Sequence, residues 1–122
     1  MDTLLDALLD ASPQVRYAAV YRDGALHTRS RAGQPGTSAA ESDRYEEWIV
    51  NPTLLTLVGQ RGGIDCGGCR YVLVRYGNFF QWVKPVQGGH TSVCIAPEAD
   101  PLALVPALEA LLARHLPQRS QP

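Results

Sequence analysis

The chain has 122 residues, close to one domain, with 45% hydrophobic residues and a net charge of -1 from 11 basic and 12 acidic side chains. This balance excludes a general electrostatic pull towards nucleic acid or an anionic membrane surface. Three cysteines, Cys66, Cys69 and Cys94, make an odd count, which argues against a secreted disulfide framework. No apolar run reaches the roughly 18–20 residues of a membrane span. Asp2, Asp6 and Asp10 stand where a signal peptide carries a basic flank, so the expectation is a cytosolic protein.

The first element reads as a helix. Leu4, Leu5, Leu8 and Leu9 share one stripe, Asp2 is placed to cap its start, and Ser12-Pro13 ends it. VRYAAVY at 15–21 is rich in β-branched and aromatic residues and reads as a strand. Asp23-Gly24 then signals a hairpin into a more polar strand at 25–30, nearer an edge of the sheet. Residues 31–37 (RAGQPGT) form a loop of chain punctuators.

Ser38 and Glu41 fit a capping box for a middle helix over 38–58. Pro52 interrupts it, Asn51-Pro52 can restart it, and Gly59 is a natural stop, which predicts one kinked helix or two abutting ones. Glu46 and Glu47 read as solvated charge. Tyr45, Trp48 and Ile49 lie on one face, either packed on the sheet as core or presented to a partner, where aromatic anchors are enriched.

CRYVLVRY at 69–76, FFQWVKPV at 79–86 and HTSVCIA at 90–96 read as a three-strand meander with turns at Gly77-Asn78 and Gln87-Gly88-Gly89. Asp100-Pro101 opens a final helix carrying Leu104, Leu108, Leu111 and Leu112, and Pro106 is placed to shift its start inward. Tyr71 and Leu73 fall on one strand face and Val72 and Val74 on the other, so both faces of the sheet need covering. The terminal helices can share one side and the middle helix the other. The expected fold class is an α/β sandwich (α+β). It has one five-stranded antiparallel sheet, element order α-β-β-α-β-β-β-α, and helices on both faces. Residues 1–116 form a single domain in this reading, and 117–122 a flexible polar tail.

Cys66-Gly67-Gly68-Cys69 is the sharpest local motif. A redox dithiol normally sits at a helix N-terminus, whereas this one precedes a strand. A zinc site at Cys66 and Cys69 needs two more ligands, for which His90 and Cys94 are the companions to hand. A third reading is a tight turn with glycines relieving a bend. Neither a phosphate loop nor a catalytic triad is suggested by spacing.

The leucine helix, the strand-turn-strand VRYAAVYRDGALHTRS, the long middle helix, the meander and the closing leucine helix together resemble the Roadblock/dynein-light-chain family, a profilin-like sandwich. Pro52 and the CGGC run depart from its pattern. The resemblance implies a non-enzymatic adaptor without a cofactor. It implies pairing with a second copy through the middle helix and the strand after it, and a role in scaffolding or regulating a small Ras-like GTPase, with no nucleic-acid or membrane partner. On this sequence the dimer contacts fall on Arg70, Tyr71, Val72, Leu73, Val74 and Arg75. The partner-facing helix carries Arg44, Tyr45, Trp48 and Ile49, with Arg61 a further candidate contact. An unguarded apolar edge at 69–76 would favour the same pairing; a central strand there would not. The alternatives are a profilin- or PAS-like sensor binding a small molecule or metal, and a thiol-dependent enzyme.

Overall fold

The computed structural model describes residues 1–31 and 40–116; the expected loop beyond Arg31, the cap at Ser38 and the tail at 117–122 lie outside them. The elements are α1 (Asp2–Asp10), β1 (Val15–Arg22), β2 (Ala25–Ser30), α2 (Ala40–Tyr45), a π-helical turn (Glu46–Val50), α3 (Asn51–Asp65), β3 (Val72–Arg75), β4 (Phe80–Val86), β5 (Gly89–Ile95) and α4 (Pro101–His115). The order is the expected one, with the middle helix divided into three contiguous pieces. The strands make one antiparallel sheet in the order β2-β1-β5-β4-β3. The chain thus leaves one edge at β2, crosses to the opposite edge at β3, and meanders back so that β5 closes against β1.

Register sorts the side chains into two faces. Ala18, Val93, Trp82 and Leu73 stand in one cross-strand row. This face takes α1 and α4, with Leu4, Leu5, Leu8, Val105, Leu108 and Leu112 in the same buried cluster. Each fully buried leucine here contributes about 2 kcal/mol by leaving water. The adjacent rows, Tyr17–Cys94–Gln81–Val74 and Ala19–Ser92–Val83–Val72, point the other way. The middle helical segment meets this second face at Glu47, whose carboxylate bonds Tyr17 and Ser92 there.

Several local expectations need correction. Asp2 does not cap α1; Met1 holds the cap position, and Asp2 instead pairs with Arg29 of β2 at 3.0 Å. α4 begins at Pro101 and runs through Pro106. Pro106 is exposed, and water can stand in for the missing donor on that side. Its buried stripe is Val105, Leu108 and Leu112, with Leu104 and Leu111 only partly covered. Asp100 sits at the N-cap of α4 as expected but makes no side-chain cap bond. The strand expected over 69–76 is shorter, and Cys69, Arg70 and Tyr71 lead into it.

Gly59 does not stop the middle helix, which continues through Gly62 and Gly63 to Asp65. The stop is the CGGC run itself. Gly67 and Gly68 adopt φ of 81° and 88°, a region closed to most side chains, and the Cys66 and Gly68 N–H groups both donate to the Gly62 carbonyl at 3.0 Å.

Candidate functional site

The middle helical segment is held to the sheet by polar contacts. Glu47, expected in solvent, is fully buried. Its Oε2 accepts from the Tyr17 hydroxyl at 2.9 Å and from the Ser92 hydroxyl at 2.6 Å. Its Oε1 accepts from Asn51 Nδ2 at 2.9 Å and lies 2.8 Å from His90 Nε2. A carboxylate can accept this many bonds, so a charge that would be costly to bury alone is met on every side. Three of the partners come from two adjacent interior strands, Tyr17 on β1 and His90 and Ser92 on β5, and the fourth, Asn51, from α3. Tyr21 supports the His90 ring edge-on, with centroids 5.6 Å apart. Burial and the neighbouring carboxylate push the Tyr17 hydroxyl far above the ordinary tyrosine range.

The π-helical turn explains how Pro52 is accommodated. Proline has no N–H for the carbonyl four residues back and crowds it sterically. Here the Asn51 N–H donates to the Glu46 carbonyl, five residues back, so the backbone is already widened before Pro52. The Thr53 hydroxyl also donates to the Ile49 carbonyl at 2.6 Å. This rewinding puts Glu47 and Asn51 on the sheet side of the helix.

The same rotation turns the aromatic face outward. Tyr45, Trp48 and Ile49 are 61%, 50% and 52% exposed, which corrects the sheet-packed placement of Tyr45 and Trp48. Arg44 is exposed beside them, and Leu57 and Ile64 continue the apolar exposure along α3. Arg61 is exposed and pairs with Asp65 at 2.6 Å.

β3 is the edge of the sheet, paired only with β4 among the described residues. Its other side leaves backbone groups open, with Val72, Leu73 and Val74 half-buried. Arg75 lies over the Phe80 ring at 4.9 Å and donates to the Gly77 carbonyl at 3.0 Å. Arg70 grips Glu109 of α4 through two bonds of 2.9 and 2.6 Å, and Lys84 reaches the same carboxylate at 3.0 Å. Arg70 and Lys84 together hold the Glu109 carboxyl down at about 2.

The expected metal companions do not converge. β4 separates β5 from β3, His90 is bound to Glu47, and Cys94 donates to Gln81 Oε1 at 2.9 Å. Among the described residues, no group of three or more His, Cys, Asp and Glu side chains is placed to hold a metal ion. Burial pushes the Cys94 thiol well up, away from a reactive thiolate.

A cavity of about 420 Å³ opens between the start of the middle helical segment and the β3–β4 turn, lined by Asp43, Tyr45, Glu46, Tyr76, Phe79 and Gln81 among others. Tyr76 donates to Glu46 at 2.8 Å across its mouth, and burial with this carboxylate alongside pushes the Tyr76 hydroxyl up to about 12. The Asp43 and Glu46 carboxyls are raised, in both cases first by burial. The Glu47 network and this cavity were missed in the sequence. The available signal was the polar alternation of His90 and Ser92 on β5, facing a helix with Glu47 and Asn51 four residues apart.

No protein-family model and no curated protein sequence matches the chain. Solved structures do. A Roadblock/LC7 domain from Streptomyces avermitilis superposes with a TM-score of 0.69 at 22% identity, over 93% of this chain and 92% of that one. The chain has the Roadblock/LC7 fold. An MglB structure with a tetrameric arrangement gives a TM-score of 0.70 at 13% identity, over 94% of this chain and 83% of that one. The gliding protein MglB from Thermus thermophilus gives 0.65 at 13%, over 93% and 85%. Within this Roadblock fold, the outward aromatic helix face and the open β3 edge meet where Tyr76 bonds Glu46. No helix among the described residues is long and apolar enough to cross a membrane.

Proposed function

We propose that the protein is a non-enzymatic, cytoplasmic adaptor that pairs with a second copy of itself and engages a small Ras-like GTPase. The observation that carries this reading is the open apolar edge of β3 beside the exposed face of Tyr45, Trp48 and Ile49. Edge pairing of two β3 strands satisfies the open backbone groups, and antiparallel contact of the two middle helices covers the apolar side chains. Arg70 through Arg75 form the strand part of the interface, and Arg44, with Trp48, belongs to the surface offered to the partner. The tetrameric arrangement of one structurally similar MglB supports self-association, and the gliding protein from Thermus supports a role in gliding motility. The GTPase partner follows from the Roadblock resemblance. Molar mass by size exclusion with light scattering tests the pairing: a dimer is expected, and a monomer across a wide concentration range would overturn it.

A small-molecule sensor is the second reading. It is favoured by the cavity beside Asp43 and Glu46.

A further inference from the structure

Asp43, Glu46 and Glu47 stand at i, i+3 and i+4, so three carboxyls crowd one wall of the cavity. Glu47 is saturated by its donors, but Asp43 and Glu46 are not. Among the described residues neither is paired with lysine or arginine, whereas Asp2, Asp6, Asp65 and Glu109 each hold an arginine. Burial and the nearby Glu47 charge press both carboxyls towards their neutral forms.

A second observation comes from the sheet. Gln81 lines the same cavity, is 1% exposed, and its Nε2 has no hydrogen-bond partner among the described residues. Native proteins rarely leave a buried amide donor open. Aromatic rings make part of the remaining wall, with the exposed Tyr45 and with the Tyr76 and Phe79 rings 5.2 Å apart, beside Ser42, Val50, Asn78 and Cys94. An anion is disfavoured by the carboxyls. A purely apolar ligand would leave Asp43 and Gln81 unmet, and Glu46 with the Tyr76 hydroxyl as its one donor.

We propose that this cavity binds an organic cation with a hydrogen-bond acceptor beside it, such as a guanidinium group next to a carbonyl. Asp43 and Glu46 accept from the cation, Gln81 Nε2 donates to the acceptor, and the rings of Tyr45 and Tyr76 flank the planar charge. The volume suits a ligand of this size. The source is either a small arginine-like molecule or an arginine side chain of a partner protein. This assigns a ligand class to the sensor reading and does not depend on the homodimer.

The test is calorimetric titration of the full chain with N-acetyl-arginine methylamide, free L-arginine and the neutral isostere N-acetyl-citrulline methylamide. Saturable binding of an arginine compound at least about tenfold tighter than the citrulline one is expected, since charge-assisted bonds are lost with the charge. Tighter capped arginine indicates a protein side chain; tighter free arginine indicates a metabolite. Asp43→Asn and Glu46→Gln should each weaken binding about tenfold, with melting temperatures confirming that both fold. Leu102→Ala, on the exposed side of α4, should leave binding unchanged. Equal binding of the citrulline compound, or full affinity in both carboxyl variants, would overturn the cation site while keeping a pocket. No saturable heat with any compound would remove the sensor reading with it.

Discussion

His90 Nε2 and Glu47 Oε1 lie 2.8 Å apart beneath the middle helical segment, joining β5 to a carboxylate that Tyr17, Ser92 and Asn51 also hold. This contact ties the helix to the sheet. Truncating the carboxylate strands all four partners at once. Glu47→Ala is expected to cost about 3 kcal/mol or more, lowering the melting temperature by roughly 10 °C. A thermal unfolding curve checks this; a shift of only a degree or two would mean that water replaces the carboxylate freely.

The same network sets an alkaline limit. The folded Tyr17 hydroxyl is held protonated well above its ordinary value of 10.0, so the unfolded chain ionises first. Its contribution is whole below about pH 10 and is lost as pH rises beyond it. Urea midpoints between pH 9 and 11 should fall more steeply in the wild type than in Tyr17→Phe. Parallel curves would contradict the assignment.

At the other end of the scale, Glu109 is depressed to about 2 by Arg70 and Lys84. A depressed carboxyl contributes stability above its unfolded pKa, lost as pH falls through the folded one. The window therefore runs from about pH 4.5 down to 2. Arg70 is 76% exposed, so solvent screens much of its share, and Lys84 is the better-placed partner. Stability should decline less across that window in Glu109→Gln than in the wild type, as measured by denaturant titration.

Glycines in α3 should divide into two kinds. A Cβ at Gly59 meets nothing within 4 Å, so Gly59→Ala is expected to stabilise by about 0.5–1 kcal/mol. A Cβ at Gly62 falls 2.7 Å from the Gly68 backbone, so Gly62→Ala should destabilise by about 1–3 kcal/mol despite its better helix propensity. Equal shifts in the two melting temperatures would show that the CGGC turn yields easily.

Trp48 is half exposed, so Trp48→Ala should barely alter the stability of an isolated protomer. If it anchors the proposed interface, the dimer dissociation constant should rise about tenfold or more. Sedimentation at graded concentrations reads this directly, and an unchanged constant would move the interface off this helix face.

Order and layers were legible because they follow from periodicity and turns, whereas the strand at 69–76 could be read as edge or as central until its pairing was known. VRYAAVY followed by Asp23-Gly24 can hardly be anything but a hairpin arm, and the YVLV run needs cover on both faces. The middle helix was less legible because its facing is set by a one-residue backbone widening ahead of Pro52. That rotation carries Glu47 inward and Trp48 outward, the reverse of what residue type alone suggests. Burial of Glu47 depends on donors from β1 and β5, far apart in sequence, which no local pattern brings together.

The two borders of the sheet are unlike. β2 is polar and largely exposed, with Arg29 engaged by Asp2 and Asp6, while β3 is apolar and open. If β3 joins β3 about a two-fold axis, the one open apolar border among the described residues is consumed in a single step. Both outer margins of the joined sheet are then the polar β2, so growth stops at two copies and does not run on into a fibre.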